Sequence, residues 1–250
     1  MNILALIPAR MGSSRFPGKP MAKILDKPMI GHVYDNVKKN RLISEVAVAT
    51  CDVEIYNYIE SIGGRAVMTS DKHERASDRC AEALQKIESE DNIKYDIVVM
   101  VQGDEPMVQP DMISQAVQPL IDDPNIFISN LLGSIKDEEF HDKNTIKVVC
   151  DKNYNALYFS RESIPTKCHN NSAVGKQVPI IPFRREFLIK YNELKPTPLE
   201  IAESVDMLRI LEHGMKILMV QTSHDTYAVD TPEDLNKVQN LLEKSLKKTL

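Results

Sequence analysis

The 250-residue chain is mildly acidic, with 36 Asp and Glu against 31 Lys and Arg and a formal net charge of -5. That balance argues against a general nucleic-acid-binding protein, and the absence of any apolar run near the roughly 20 residues that cross a bilayer argues against a membrane protein. Four scattered cysteines without a C-x-x-C spacing indicate neither a zinc site nor a disulfide framework, and they favour a cytoplasmic location.

The first half of the chain alternates apolar strand patterns with amphipathic helix patterns. The predicted strands lie at 2–8, 45–50, 65–70 and 96–106, and the predicted helices at 28–40, 53–63, 76–88 and 110–121. This order predicts an α/β fold with a mostly parallel sheet and helices on both faces. In such sheets ligands bind beyond the carboxyl ends of the strands, so we expect the loops after the first and fourth strands to meet there.

After about residue 125 strand patterns follow one another with few helices between them. They lie at 126–135, 145–151, 155–165 and 178–183, with a polar segment at 166–177 that we interpret as a mobile surface loop. Helical patterns resume at 186–194 and 203–214, followed by a strand at 216–222 and a helix from Pro232. We therefore predict a single domain over 1–250, with an antiparallel insertion at about 126–184.

A positively charged loop, IPARMGSSRFPGKP at 7–20, follows the first strand directly. Its glycines let the backbone approach a ligand, and Arg10, Arg15 and Lys19 add positive charge. Its spacing matches neither G-x-x-x-x-G-K-[ST] nor G-x-G-x-x-G, which excludes a P-loop and a dinucleotide fingerprint. A solvated basic loop is the alternative, but the position at the end of the first strand favours a triphosphate site.

Two acidic residues stand at the ends of other extended segments. Asp104 follows an apolar strand in VQGDEP, and Asp230 precedes a helix in VDTPEDL. Thr231 and Asp234 satisfy the helix N-terminus in the second segment, which leaves Asp230 for another role. Mg²⁺ prefers one or two carboxylates plus phosphate oxygens, so the two aspartates are candidate magnesium ligands. The alternative is that they are ordinary loop or helix N-terminal acids.

Taken together, IPARMGSSRFPGKP, VMTSDKH…SDR, VQGDEP, ALYFSRESIP and VDTPEDL resemble, in order and spacing, the 3-deoxy-manno-octulosonate cytidylyltransferases, or CMP-Kdo synthetases. The resemblance extends over nearly the whole chain. It implies a Rossmann-like nucleotidyltransferase fold, a homodimer formed through the antiparallel segment, and Mg²⁺ as cofactor. It also implies that CTP and an anionic sugar acid are the substrates, that the acid's anomeric hydroxyl is joined to the α-phosphate of CTP, and that pyrophosphate is released.

The same resemblance implies roles for individual residues. Arg10, Lys19 and Asp104 would be catalytic, and Asp104 and Asp230 would bind the metal. The implied nucleotide contacts are Pro8, Ala9, Arg10, Ser13, Arg15, Lys19, Ser70, Arg79, Gln102 and Gly103. The implied acceptor contacts are Gln102, Arg161, Gln177 and Asp206.

Departures from the family pattern lie mainly in the acceptor region. Gln177, Pro179 and Ile181 stand where the family has His, Gly and Tyr, and Asp206 and Met207 replace a Glu-Gln pair. Three interpretations follow: a divergent CMP-Kdo synthetase, a cytidylyltransferase for another anionic acceptor such as a different 2-keto sugar acid or a phosphonate, and a non-catalytic CTP-binding protein. The intact charged loop and acidic residues argue against the third. The less polar replacements predict weak turnover of Kdo itself.

Overall fold

The computed structural model describes residues 1–13, 15–166 and 174–249, with side chains described up to residue 245. Its strands are β1 (Ile3–Ala9), β2 (Lys23–Ile24), β3 (Lys27–Pro28), β4 (Glu45–Thr50), β5 (Arg65–Met68), β6 (Ile97–Val101), β7 (Ser129–Gly133), β8 (Lys147–Cys150), β9 (Ala156–Ser160), β10 (Val174–Val178), β11 (Ile180–Arg184) and β12 (Leu218–Thr222). Its α-helices are α1 (Met29–Lys38), α2 (Val53–Ser61), α3 (Ala76–Asp91), α4 (Pro110–Asp122), α5 (Asp137–Phe140), α6 (Arg185–Glu193), α7 (Pro198–Glu203), α8 (Met207–Glu212) and α9 (Pro232–Thr249). A short 3-10 helix lies at Lys19–Met21.

The first of two compact units combines Met1–Tyr95, Met100–Asp111 and the chain from Thr226 onward. In this unit β4 runs parallel to both β1 and β5. Every residue of β1 is buried, as expected of a parallel strand that is covered on both faces. Helices α1, α2 and α3 pack against this sheet. The predicted α/β class is confirmed.

The C-terminal helix α9 is held in this first unit by a small apolar cluster. Ile24, Met29, Val229 and Val238 are buried there, and Phe16 from the charged loop packs against them. The cluster therefore ties the start of α9, which carries VDTPEDL, to the loop that follows β1.

The second unit consists of Asp96–Val99 and the described part of Met112–Asp225. Its sheet has the order β12-β7-β10-β8-β9, in which β10 is antiparallel to β7 and β8, and β8 is antiparallel to β9. Strand β12 instead runs parallel to β7. These pairings agree with the antiparallel segment predicted at about 126–184. The prediction of one domain over 1–250 stays a prediction.

The predicted loop at 166–177 is wrong at its end, because Val174–Val178 forms strand β10. The polar composition of the segment concealed a close backbone approach at Gly175, where an added Cβ would lie 2.6 Å from the carbonyl oxygen of Gly133. Residues 167–173 lie outside the described residues.

The helix predicted at 203–214 forms only over Met207–Glu212, as α8, and α7, which a break at Ser204 separates from it, was not predicted. Ser204 has the left-handed φ of 52°, which ends α7. A buried ion pair, Arg209 Nη2 to Glu200 Oε1 at 2.6 Å, joins the two helices across this break. None of the helices in the described ranges has a stretch long and apolar enough to cross a membrane.

Candidate active site

The charged loop after β1 is closed by hydrogen bonds within the first unit. The Met11 amide donates to Asp52 Oδ2 at 2.8 Å, and the Gly18 amide donates to the Met11 carbonyl at 3.0 Å. Gly18 has the left-handed φ of 74° that glycine adopts without strain, and the 3-10 helix begins immediately after it at Lys19. The loop therefore holds the Lys19 backbone in a defined place.

The VQGDEP segment packs closely against the end of β1 because Gly103 has no side chain. An added Cβ at Gly103 would lie 3.0 Å from the Pro8 carbonyl oxygen and 3.2 Å from Ile30 Cδ1. The next residue, Asp104, accepts a hydrogen bond at its carbonyl from the Val229 amide at 3.0 Å. This backbone bond brings the start of VDTPEDL beside the end of β6.

The N-terminus of α9 is capped as predicted. Asp234 Oδ2 accepts from the amides of Asp230 and Thr231 at 3.1 and 2.9 Å, and Thr231 Oγ1 accepts from the Asp234 amide at 3.2 Å. Because Asp234 and Thr231 satisfy these amides, the Asp230 carboxylate takes no part in the cap and is directed elsewhere.

Lys19, Asp104 and Asp230 form one charged cluster, which we call the Lys19 cluster. Lys19 Nζ lies 2.8 Å from Asp104 Oδ2 and 3.2 Å from Asp230 Oδ1. Arg15 Nη2 adds a second cation, at 3.0 Å from Asp230 Oδ1. Burial alone would lower the pKa of Lys19, but the Asp104 and Asp230 carboxylates outweigh it and raise that pKa. The lysine is therefore a stable cation between two carboxylates.

The Lys19 cluster fits a hard divalent cation by its donor set. Mg²⁺ is held in proteins by one or two carboxylates together with substrate phosphate oxygens, and Asp104 and Asp230 supply two carboxylates beside a positively charged loop. Within the described ranges no group of three or more His, Cys, Asp and Glu residues comes together as a metal site. A cation at this pair would therefore need additional ligands from a substrate or from water.

Arg79, at the start of α3, is buried with 3% of its surface exposed. Its Nη1 donates to Thr69 Oγ1, but its Nη2 has no hydrogen-bond partner in the described part of the chain. A buried guanidinium nitrogen without a partner is costly, and an anionic or carbonyl group of a ligand would satisfy it. This geometry supports the predicted nucleotide contact.

The remaining predicted nucleotide contacts also lie in the first unit. Pro8 and Ala9 are buried, Ser13 and Gln102 are half-buried, and Arg10 is exposed. Ser70 is half-buried, and its amide donates to Glu82 Oε2 at 2.9 Å. Their roles stay predictions.

Glu82 and Asp52 support the site but were not singled out from the sequence. Glu82 Oε2 also contacts His73 Nε2, and Glu82 Oε1 lies 2.8 Å from Lys86 Nζ. Burial opposes the charged form, but hydrogen bonds from Lys86, the Ser70 amide and His73 lower the pKa of Glu82 to about 2. The sequence signal for Asp52 is its position two residues after β4, at the same end of the parallel sheet as the charged loop.

In the second unit, the predicted acceptor contact Arg161 is engaged with backbone carbonyls. Its Nε donates to the Glu203 carbonyl at 2.8 Å, and its Nη1 to the Lys143 carbonyl at 3.0 Å. Its own amide donates to Glu203 Oε2 at 2.8 Å. These bonds attach the end of β9 to α7, and acceptor binding by Arg161 stays a prediction.

The other acceptor-region residues also form hydrogen bonds or are buried within the second unit. Gln177 Nε2 donates to Asn130 Oδ1 at 2.7 Å, and the Asp206 carbonyl accepts from Tyr191 at 3.1 Å. Ile181 and Met207 are buried, with 3% and 1% exposure. The less polar replacements at these two positions therefore fill core space, which gives them a structural reason independent of acceptor choice.

Nearly the whole chain is similar to known proteins. A family model described as "Cytidylyltransferase" matches residues 4–217. A protein of Geobacter metallireducens named 3-deoxy-manno-octulosonate cytidylyltransferase is 43% identical, over 95% of this chain and 96% of its own. One of the same name from Syntrophus aciditrophicus is 42% identical, over 96% and 97% of the two chains.

A solved structure is also similar to nearly the whole chain in its fold. It is described as CMP:2-keto-3-deoxy-manno-octonic acid synthetase complexed with CTP. The two chains superpose with a TM-score of 0.89 at 37% identity, covering 98% of this chain and all of the other.

Proposed function

The chain belongs to the cytidylyltransferase family, and on that premise we propose that it joins CMP from CTP to the sugar acid Kdo. The relatives named above, similar over nearly their full lengths, favour Kdo over a phosphonate or another acid. They equally favour an enzyme over a non-catalytic CTP-binding protein. In the proposed reaction the anomeric hydroxyl oxygen of the acid bonds to the α-phosphorus of CTP. The bond from that phosphorus to the bridging oxygen breaks, pyrophosphate leaves, and the hydroxyl proton is lost to solvent.

The observation that supports this proposal most directly is the Lys19 cluster. Lys19 and Arg15 stand beside Asp104 and Asp230 in one site after the ends of β1 and β6. Nucleotidyl transfer needs in-line positioning and neutralisation of developing negative charge more than covalent help from the protein. Lys19 and Arg15 would neutralise phosphate charge, with Arg10, Ser13 and the loop backbone as further contacts.

We propose Mg²⁺ as the cofactor, held by Asp104 and Asp230. When bound, it would neutralise charge on the phosphate oxygens. We place Arg79, Ser70, Gln102 and Gly103 around the nucleotide, and Gln102, Arg161, Gln177 and Asp206 on the acceptor side.

The proposal extends to the assembly and its location. We propose a homodimer formed through the antiparallel segment, as the family resemblance implies, and a cytoplasmic location because the reaction consumes CTP. Strand β9 lies at the edge of the second sheet and carries the exposed Leu157, which supports the dimer.

Pyrophosphate release tests the proposed reaction. We expect release from CTP and Mg²⁺ with Kdo present, in place of the weak Kdo turnover predicted from the sequence, because the less polar Ile181 and Met207 are buried core residues. Release with ATP or GTP should be much slower. Asp104→Asn and Asp230→Asn should each lower the rate by about 100-fold or more, with circular dichroism unchanged. Asp111→Asn, at an exposed aspartate of the same unit, is the matched control and should keep the wild-type rate. Equal turnover of ATP, or full activity of either variant, would refute the proposal.

A further inference from the structure

The Lys19 amino group contacts the same carboxylate oxygens that a divalent cation would bind. Its Nζ contacts Asp104 Oδ2 at 2.8 Å and Asp230 Oδ1 at 3.2 Å. The Lys19 side chain is only 12% exposed, and the two aspartate side chains are 29% and 21% exposed. This is a partly enclosed cluster rather than a surface ion pair of the kind that contributes little.

Both sides of the contact are fixed by the fold. The hydrogen bond from Gly18 to Met11 and the start of the 3-10 helix hold the Lys19 backbone. The Val229 amide holds Asp104, and the capping bonds to Asp234 hold the backbone at Asp230. The ammonium group therefore lies between the carboxylates because three separate segments of the first unit place it there.

The Lys19 ammonium and a divalent cation would compete for these carboxylate oxygens. Two cations that share the same carboxylates repel each other, and the repulsion is stronger in a partly buried site than in water. A bare divalent cation that binds Asp104 and Asp230 must displace the Lys19 ammonium or tolerate it nearby. A triphosphate removes this penalty, because its oxygens offer the ammonium group new partners and add negative charge.

We propose that Lys19 acts as an internal competitor for the divalent cation at Asp104 and Asp230, so that the free protein resists the bare cation and accepts it together with a triphosphate. This inference rests on the proposed function, which supplies the cation and the nucleotide. It assigns Lys19 a role before the reaction, in addition to its contact with phosphate. Because binding coupling is reciprocal, the cation must raise the affinity for the nucleotide by the same factor.

Mn²⁺ binding to the full-length protein without nucleotide tests the competition, with the electron paramagnetic resonance signal of free Mn²⁺ as the readout. We expect Lys19→Met to bind Mn²⁺ roughly tenfold more tightly than wild type, since a tenfold change corresponds to a modest electrostatic penalty. Lys19→Arg keeps a cation and should bind Mn²⁺ as weakly as wild type. Lys23→Met removes a charge from an exposed lysine of the same unit and should also match wild type.

Adding CTP should raise the Mn²⁺ affinity of wild type more than that of Lys19→Met. The gain in Mn²⁺ affinity caused by CTP, after correction for Mn²⁺ held by CTP in solution, should be large in wild type and small in Lys19→Met. The double variant Lys19→Met with Asp104→Asn should lose the tight Mn²⁺ binding, which would locate it at this pair. If Lys19→Met does not fold, Lys19→Gln serves in its place, with circular dichroism as the check.

The proposal is overturned if Lys19→Met binds Mn²⁺ no more tightly than wild type, or if Lys23→Met gains as much. It is also overturned if the gain caused by CTP is equal in wild type and Lys19→Met. Pyrophosphate release by the wild-type protein tests the proposed function separately. Its absence would refute the proposed reaction, whereas the Mn²⁺ comparison tests only the competition by Lys19.

Discussion

At the scale of single residues, Arg79 combines burial with an unsatisfied Nη2. An unsatisfied buried donor lowers stability by about 1–3 kcal/mol, and a hydrogen bond to a charged group contributes about 1.5–3 kcal/mol. We therefore expect Arg79→Met to weaken CTP binding by about 10- to 100-fold, while the unfolding free energy of the ligand-free protein changes little. Calorimetric titration with CTP and urea unfolding measure the two quantities.

Arg41→Met is the matched control, because Arg41 is an exposed arginine of the same unit. It should alter neither CTP affinity nor stability. The opposite pattern for Arg79→Met, with stability lost and CTP affinity kept, would show that Arg79 serves the fold rather than the nucleotide.

At the scale of elements, Glu82 on α3 holds the connection from β5 through the Ser70 amide and His73. Its carboxyl pKa is about 2 in the folded protein against an ordinary value of 4.5. A lowered folded pKa stabilises the protein above the unfolded pKa, and this contribution is lost as the pH falls through the folded value. We therefore expect wild type to lose more unfolding free energy than Glu82→Gln between pH 5 and about pH 3.

Urea unfolding at the two pH values measures this difference. Glu54→Gln, at an exposed glutamate on α2, should lose as much stability on acidification as wild type does. Equal losses in wild type and Glu82→Gln would contradict a charged, hydrogen-bonded Glu82.

The elements also show how far the sequence predicts this structure. The parallel strands of the first unit were predictable because continuous apolar runs such as β1 are typical of strands buried on both faces. The cap at Thr231 and Asp234 was predictable because its bonds are local in sequence. The sequence therefore predicts Asp104 and Asp230 as candidate metal ligands from local patterns alone.

Long-range contacts account for what the sequence did not predict. Strand β10 has a polar sequence typical of a loop, and it is a strand because it pairs with β7 and β8, which lie far away in the chain. The engagement of the Arg161 guanidinium by the Glu203 carbonyl depends on the turn at Ser204. The burial of Ile181 and Met207 likewise depends on tertiary packing, so a loss of polarity there resembled a change of substrate.

At the scale of the whole molecule, the proposed homodimer makes a prediction about strand β9. This strand lies at the edge of the second sheet, and its Leu157 side chain is 60% exposed. An edge strand presents unpaired backbone groups with which a second chain can pair. We expect Leu157→Lys to shift the protein from dimer to monomer, because a charge there would have to be buried in the interface.

Sedimentation velocity at micromolar protein concentration measures this shift, and circular dichroism checks the fold. Val53→Lys is the matched control, because Val53 on α2 in the first unit is 63% exposed and lies outside the antiparallel segment. It should leave the dimer intact. A monomeric wild type, or a dimer that both substitutions leave unchanged, would rule out β9 as the contact. A reversible dimer dissociates at protein concentrations below its Kd, so the wild-type sedimentation coefficient should also fall as the protein concentration is lowered through that range.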